Sequence, residues 1–203
     1  HQMPVKALPA LRFAGARGEL EHYRDTHLGH GTIKPVFELA LRWLEDHLPP
    51  EPTRAEARLV HGDFRNGNLM VDETGLVAVL DWELAHIGDP MEDLGWLCVN
   101  SWRFGAIDRP VGGFGERAEL FAGYEAAGGV VQPETVHFWE ILGTLKWGIM
   151  CERLAGDHLS GADPSVEKAA IGRRSSETEI DLLMLLAPRS RSAPQEATVR
   201  HHS

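Results

Sequence analysis

Two aspartates lie on either side of a pair of short apolar runs in the first half of the chain. Asp63 lies five residues before Asn68, which opens the run NLMV, and Asp81 directly follows the run LVAVL. The tetrapeptide DETG joins the two runs and is typical of a tight turn, so the pattern predicts an antiparallel hairpin. Because neighbouring strands lie about 5 Å apart, we expect Asp63, Asn68 and Asp81 to converge at the open end of that hairpin.

Convergence of these three side chains would create a site for a hard divalent cation. Carboxylate and amide oxygens suit Mg²⁺ that is held by few protein groups and by several phosphate oxygens. A phosphoryl transferase needs the same groups, because one carboxylate orients the attacking hydroxyl while the others hold metal against the triphosphate. Two carboxylates are tolerated side by side only where a cation lies between them. Aspartate and asparagine also favour turns and helix caps, so the spacing by itself leaves metal-assisted phosphoryl transfer and an ordinary turn both open.

The composition is that of an ordinary globular chain with an acidic surplus. The 203 residues are 43% hydrophobic and 25% charged, with a formal net charge of −10. This size suits one domain, or one lobe of a larger protein. A nucleic-acid-binding protein would usually carry a basic patch, and the sequence shows none. There is also no signal-peptide pattern and no apolar run of about 18 residues, so we expect no membrane span and a cytoplasmic protein. The oligomeric state is left open.

The remaining pattern is mostly helical. A helix is predicted from residue 36 until Pro49 and Pro50 stop it, and others follow Met91, the loop VGGFG and Pro133. A last amphipathic helix is expected over 163–187, with a kink near Gly172. The two cysteines lie in apolar helical stretches and are expected to be buried thiols. With one small hairpin, the predicted fold class is α+β and mostly helical.

The residues around the hairpin carry a recognisable motif. His61-Gly62-Asp63 followed by Asn68 resembles the H-G-D-x-x-x-x-N loop of the aminoglycoside phosphotransferase and choline-kinase-like family, which has the protein-kinase-like fold. Asp81-Trp82-Glu83, 18 residues beyond Asp63, resembles the metal-binding D-W/F-E of that family. The segment GDPMEDLGWL is similar to the one that follows. The chain most resembles the phosphotransferase domains related to those fused to acyl-CoA dehydrogenases.

This resemblance implies a role for each matching residue. Asp63 would be the catalytic base or would orient the acceptor hydroxyl, and Asn68 and Asp81 would hold Mg²⁺. His61 would support the backbone of the catalytic loop. Asp93 would brace that loop from the following helix, although it also lies in the first turn of a predicted helix, where an acidic residue is favourable in itself.

The resemblance also implies a fold, a cofactor set and a domain division. Residues 34–187 would form the C-terminal lobe of the protein-kinase-like fold, after an irregular leading segment over 1–33 and before a disordered tail over 188–203. ATP and Mg²⁺ would be the cofactors, and Glu83 would contact either substrate or metal. The glycine-rich loop and strand lysine of an N-terminal lobe are not recognised, so the nucleotide-binding residues stay unknown. We therefore expect this chain alone to bind ATP weakly and to transfer phosphate poorly.

Two other functions and several acceptors stay open at this stage. Fragments of the motif are similar to those of metal-dependent phosphoesterases, but His86, His137 and His158 do not follow the spacing of a two-metal site. A non-enzymatic pseudokinase or interaction module is the third alternative. Among hydroxylated small molecules, aminoglycoside, choline-like, sugar and hydroxyacyl acceptors are all compatible with the motif. The net charge of −10 favours cationic acceptors, whereas the resemblance to acyl-CoA dehydrogenase-linked domains favours hydroxyacyl-CoA.

Overall fold

A computed structural model of the chain describes residues 1, 11–31, 33–53 and 55–187. The tail expected over 188–203 lies outside these residues. The described helices are α1 (Ala16–Gly29), α2 (Pro35–Asp46), α3 (Met91–Cys98), α4 (Arg117–Ala126), α5 (Pro133–Leu159), α6 (Val166–Gly172) and α7 (Ser175–Leu186). No helix in the described ranges is long and apolar enough to cross a membrane.

Most of the predicted helices are present in the structure. α2 begins at Pro35 and α5 at Pro133, each with the proline in the first turn where its missing N–H costs nothing. The helix predicted over 163–187 is instead two helices, because the chain turns between Gly172 and Ser175. Both cysteines are buried free thiols, as expected, and burial raises the pKa of each to about 12.

Four strands form two small antiparallel pairs within the described residues. The predicted hairpin is confirmed by β2 (Leu69–Asp72) and β3 (Gly75–Val79), with Leu69 opposite Val79. The second pair was not predicted and joins β1 (Arg58–Val60) to β4 (His86–Gly88). Because β1 ends directly before His61 and β4 leads into α3, this second pair places the motif loop beside the start of α3.

The core is built around α5. That helix packs against α1, α2, α3, α6 and α7 and buries a row of apolar side chains, among them Phe138, Ile141, Leu145 and Ile149. Leu20 of α1 belongs to the same core cluster. Residues 16–29 are therefore a packed helix, which differs from the irregular leading segment expected over 1–33. The domain boundaries themselves stay a prediction.

α3 and α5 approach each other closely because glycines lie at their crossing. A Cβ added to Gly143 would lie 2.8 Å from Cε3 of Trp96, and one added to Gly95 would lie 2.6 Å from Cβ of Trp139. Real Cβ atoms do not come this close to other atoms, so either addition would force the helices apart. Trp96 therefore packs directly against α5 at Gly143.

We predict that Gly143→Ala lowers the free energy of unfolding by about 1–3 kcal/mol, because it overpacks the α3–α5 crossing. The matched control is Gly156→Ala in the same helix, where a Cβ would meet no atom within 4 Å. This control should stabilise the chain by about 0.4–1 kcal/mol through the lower entropy of the unfolded state. Urea unfolding of both variants measures the difference. Equal effects of the two substitutions on the free energy of unfolding would contradict the close approach of α3 and α5 at Gly143.

A buried histidine–glutamate pair holds β4 against α3. Nδ1 of His86 lies 3.0 Å from the carbonyl oxygen of Leu84, and Nε2 lies 3.1 Å from Oε2 of Glu92. Burial lowers the pKa of His86, and the positive charge of Arg12 lowers it slightly further. The Glu92 carboxylate and the Leu84 carbonyl outweigh both effects and raise that pKa above 6.5. Burial raises the pKa of Glu92, although His86 and Lys146 oppose the rise and Asp93 adds to it.

This pair predicts a loss of stability as the pH rises. A histidine whose folded pKa exceeds its unfolded pKa stabilises the fold fully below pH 6.5, and that contribution disappears as the pH passes the folded pKa. The raised pKa of Glu92 acts in the same direction. We expect the stability advantage over the double variant His86→Gln/Glu92→Gln to shrink as the pH rises above about 6.5 in urea unfolding. An advantage that stays constant as the pH rises would exclude the coupling.

Candidate active site

The loop between β1 and β2 is held by the carboxylate of Asp93 on α3. The backbone amide of His61 donates to Oδ2 at 2.8 Å, and the amide of Gly62 donates to Oδ1 at 3.0 Å. Gly62 has a φ of +82°, and a Cβ there would lie 2.7 Å from the carbonyl oxygen of Leu84, so the position needs glycine. The two amides and Asp93 therefore set the path of the chain just before Asp63.

Asp93 is almost completely buried, at 4% exposed. Burial raises its pKa, whereas the amides of His61 and Gly62 favour the charged form and lower it. Its Oδ2 also lies 3.0 Å from Nε2 of His1, whose Nδ1 lies 2.8 Å from the hydroxyl of Tyr124. The carboxylate thus exchanges its hydration for several polar contacts, which offsets much of the cost of burying it.

His61 links the loop to the end of β3. Nε2 lies 2.9 Å from the carbonyl oxygen of Leu80, and the amide of Asp63 donates to Nδ1 at 3.2 Å. A carbonyl only accepts, so Nε2 carries the proton and Nδ1 is the acceptor of a neutral imidazole. Both ring nitrogens are therefore used to hold backbone groups. The ring also packs against the indole of Trp82, with 4.5 Å between centroids.

The Asp63 carboxylate is surrounded by donors. Nδ2 of Asn68 donates to Oδ2 at 2.7 Å, and the indole Nε1 of Trp96 donates to Oδ1 at 2.8 Å. Nε of Arg65 lies 3.2 Å from Oδ1 and 3.1 Å from Oδ2, and its guanidinium lies over the ring of Trp102 at 5.0 Å. These contacts fix the rotamer of Asp63 and leave it at the surface of the loop, where a small molecule could reach it.

The hairpin brings Asn68 and Asp81 to the same end of the motif. Nδ2 of Asn68 also donates to the backbone carbonyl oxygen of Asp63 at 2.8 Å. The backbone carbonyl oxygen of Asn68 accepts a hydrogen bond from the backbone amide of Leu80 at 2.9 Å. Asp81 follows Leu80 and adopts a left-handed backbone with φ 66° and ψ 61°. That conformation costs a residue with a Cβ about 1–2 kcal/mol, although aspartate tolerates it better than most. Strained backbone of this kind is concentrated at functional sites.

The donor set at this end fits a cation that brings other ligands with it. Among the described residues no three histidine, cysteine, aspartate or glutamate side chains are grouped to hold a metal by themselves. Asn68 and Asp81 would instead offer one amide and one carboxylate oxygen, which suits Mg²⁺ bound mainly through phosphates and water. Glu83 lies in the 3₁₀ turn Trp82–Leu84 that follows, with its side chain exposed.

Three residues that support the motif loop were missed from the sequence alone. Trp96 lies three residues after Asp93 on α3, and this spacing places both side chains on one helix face. Arg65 lies within the loop itself but belongs to no motif position. Lys146 of α5 donates from Nζ to the carbonyl oxygen of Gly62 at 3.1 Å, and no local pattern links two residues so far apart in sequence.

Solved structures share this architecture. A protein of Ralstonia eutropha assigned as an aminoglycoside phosphotransferase superimposes with a TM-score of 0.68 at 24% identity, over 83% of this chain and 54% of that chain. A choline/ethanolamine kinase family protein of Mesorhizobium loti superimposes with a TM-score of 0.57 at 19% identity, over 90% of this chain and 56% of that one. The fold is therefore the kinase-like lobe expected from the sequence, and the chain spans about half the length of each neighbour.

Sequence relatives agree with the motif. The chain is 42% identical over 67 residues to mouse acyl-CoA dehydrogenase family member 10, which covers 32% of this chain and 6% of that protein. It is 44% identical over 69 residues to chicken acyl-CoA dehydrogenase family member 11, covering 33% of this chain and 8% of that protein. The profile of the phosphotransferase enzyme family matches residues 1–130. The chain belongs to this phosphotransferase family.

Proposed function

We propose that this site transfers the γ-phosphate of ATP, with Mg²⁺, to a hydroxyl group of a small-molecule acceptor. The observation that carries the proposal is the placement of Asp63. Its carboxylate is oriented by Asn68 and Trp96 on a loop whose backbone is held by Asp93, and the strained Asp81 lies across the hairpin end. A pre-oriented carboxylate beside metal-binding oxygens is what phosphoryl transfer requires of a protein.

Each residue would have one task in the reaction. Asp63 would accept a hydrogen bond from the acceptor hydroxyl and take its proton as the oxygen forms a bond to the γ-phosphorus. The bond from that phosphorus to the bridging oxygen breaks, and ADP leaves with the electron pair. Asn68 and Asp81 would hold Mg²⁺, which neutralises charge on the phosphates when it is bound. Glu83 would contact substrate or metal.

We further propose that efficient turnover needs protein segments beyond these 203 residues. The chain spans 54% and 56% of the two structural neighbours, and no nucleotide-binding loop is recognised in its sequence. The hairpin supports this view, because it exposes apolar side chains on both strands: Met70, Val71, Leu76 and Val77 are 49%, 70%, 57% and 56% exposed. Several exposed apolar side chains on one small element are typical of a surface that is covered by another part of a protein.

The histidines argue against the phosphoesterase alternative. His61 uses both ring nitrogens on backbone groups, and His86 contacts Leu84 and Glu92. Neither ring has a nitrogen left for a second metal ion, which a two-metal hydrolase would require. A non-enzymatic module is the alternative that the following experiments can reveal.

We predict that Asp63→Asn lowers kcat by about 10²–10⁴-fold in an N-terminally extended form of the protein, because the hydroxyl loses its proton acceptor. The KM for Mg·ATP should change little, since Asp63 faces the acceptor. ³¹P NMR with a panel of hydroxylated acceptors measures transfer. The control is Asp108→Asn, which removes the charge of an exposed residue. The 203-residue chain alone should turn over below about 1 s⁻¹. No transfer to any acceptor by the extended form would support a non-enzymatic module.

A metal titration tests the cation site independently of turnover. Mn²⁺ added to the 203-residue chain should broaden the NMR signals of the Asn68 side-chain amide and of the Asp81 backbone before others. Asp81→Asn should weaken this effect by about 10-fold or more, since it removes the charged ligand. Asp108→Asn should leave it unchanged. Broadening centred on another acidic cluster would count against Asn68 and Asp81 as the metal ligands.

A further inference from the structure

Lys146 is an unusual buried residue. It lies on α5 and is only 8% exposed. Buried ammonium groups are normally paired with a carboxylate, because a lone charge is costly to remove from water. Across the described part of the chain, the ion pairs within 4.0 Å involve Lys34 and Lys168 but not Lys146. The protein thus holds this cation in place by other contacts.

Those contacts converge on the catalytic loop. Nζ of Lys146 donates to the carbonyl oxygen of Gly62 at 3.1 Å. It also lies over the ring of Trp96, 4.5 Å from the centroid, and 5.8 Å from the ring of Tyr23. An ammonium over an aromatic face is attracted by the ring's electrons, and the attraction is stronger where water is excluded. Glu19 and Glu92 line the same small void as Lys146 and supply negative charge nearby.

Lys146 and its neighbours hold the peptide that immediately precedes the Asp63 side chain. The Gly62–Asp63 peptide has its carbonyl bound by Lys146 and its amide bound to Nδ1 of His61. Trp96, whose face lies under the ammonium, donates from its edge to Oδ1 of Asp63. Lys146 therefore acts on both the backbone and the carboxylate of Asp63 without touching a reacting atom.

We propose that Lys146 is a positioning residue for Asp63, which rests on the proposed phosphotransfer function. Its charge holds the Gly62 carbonyl and the Trp96 indole in one arrangement, so that the carboxylate keeps its orientation before an acceptor arrives. Orientation of this kind matters for rate because a displacement of about 1 Å at a reacting group can cost about 100-fold. A neutral side chain of similar length would fill the space but would release both contacts.

Hydrogen exchange in the 203-residue chain tests this role without any substrate. Lys146→Met should speed exchange of the Asp63 amide and the Trp96 indole N–H by about tenfold or more, as local openings become frequent. Amides of α2, which lie away from the loop, should change by less than about twofold. Equal acceleration of loop and α2 amides would show a merely structural role and would overturn the proposal. Unchanged protection of Asp63 and Trp96 would overturn it as well.

Further variants distinguish the effect of the Lys146 charge from the effect of the size of its side chain. Lys146→Arg keeps a cation that can lie over the Trp96 ring, so loop exchange should be slower than in Lys146→Met and closer to that of the unsubstituted chain. If loop exchange in Lys146→Arg is as fast as in Lys146→Met, the positive charge of Lys146 is not what holds the loop. Lys168→Met removes a half-buried lysine of α6 that pairs with Asp157 and Asp163, and it should change neither loop nor α2 exchange. Should Lys146→Met fail to fold, Lys146→Gln, which keeps a neutral donor, should still speed loop exchange more than α2 exchange.

Kinetics then distinguish this proposal from the function on which it rests. In the extended form, Lys146→Met should lower kcat by about 100-fold while the KM for Mg·ATP stays within about twofold. A raised KM with kcat unchanged would overturn the positioning role. Absence of transfer by the unsubstituted extended form would count against the proposed function alone, because the exchange measurement still decides whether Lys146 positions the loop.

Discussion

One buried carboxylate joins α3 to the loop that carries Asp63. Asp93 accepts from the amides of His61 and Gly62, and these bonds compensate for taking its charge out of water. Removing the carboxylate would leave two buried amides without acceptors, each at a cost of about 1–3 kcal/mol. The β1–β4 pair and the close packing of α3 on α5 at their glycines both place Asp93 in this position. The contact of Asp93 with the loop therefore depends on several elements of the fold.

Trp96 extends the same support to the side chain of Asp63. One face of its ring packs where Gly143 leaves space, the Lys146 ammonium lies over the ring, and its edge donates to Asp63. Three different interactions thus restrain one indole. A side chain restrained in this way can hold a carboxylate in place with little further loss of entropy when a ligand binds.

Electrostatics explain why the open end of the hairpin suits a cation. Asp63 and Asp81 are both negative, and Arg65 compensates only the first of them. Asp81 adopts a left-handed backbone, which carries a conformational cost and directs the chain away from β3. Membership in the phosphotransferase enzyme family accords with this arrangement, and the proposed Mg²⁺ would add positive charge at this end of the hairpin.

Local spacing in the sequence predicts the hairpin, the motif loop, the helices α2 to α5 and the family. Asn68 and Asp81 flank a hairpin that is closed by a four-residue turn, and proline positions mark the starts of α2 and α5. The β1–β4 pair, the packing of α1 into the core, and the contacts of Trp96 and Lys146 depend on the tertiary structure. These features join residues far apart in the chain, such as Gly62 and Lys146, and contacts of that kind leave no periodic pattern in a single sequence.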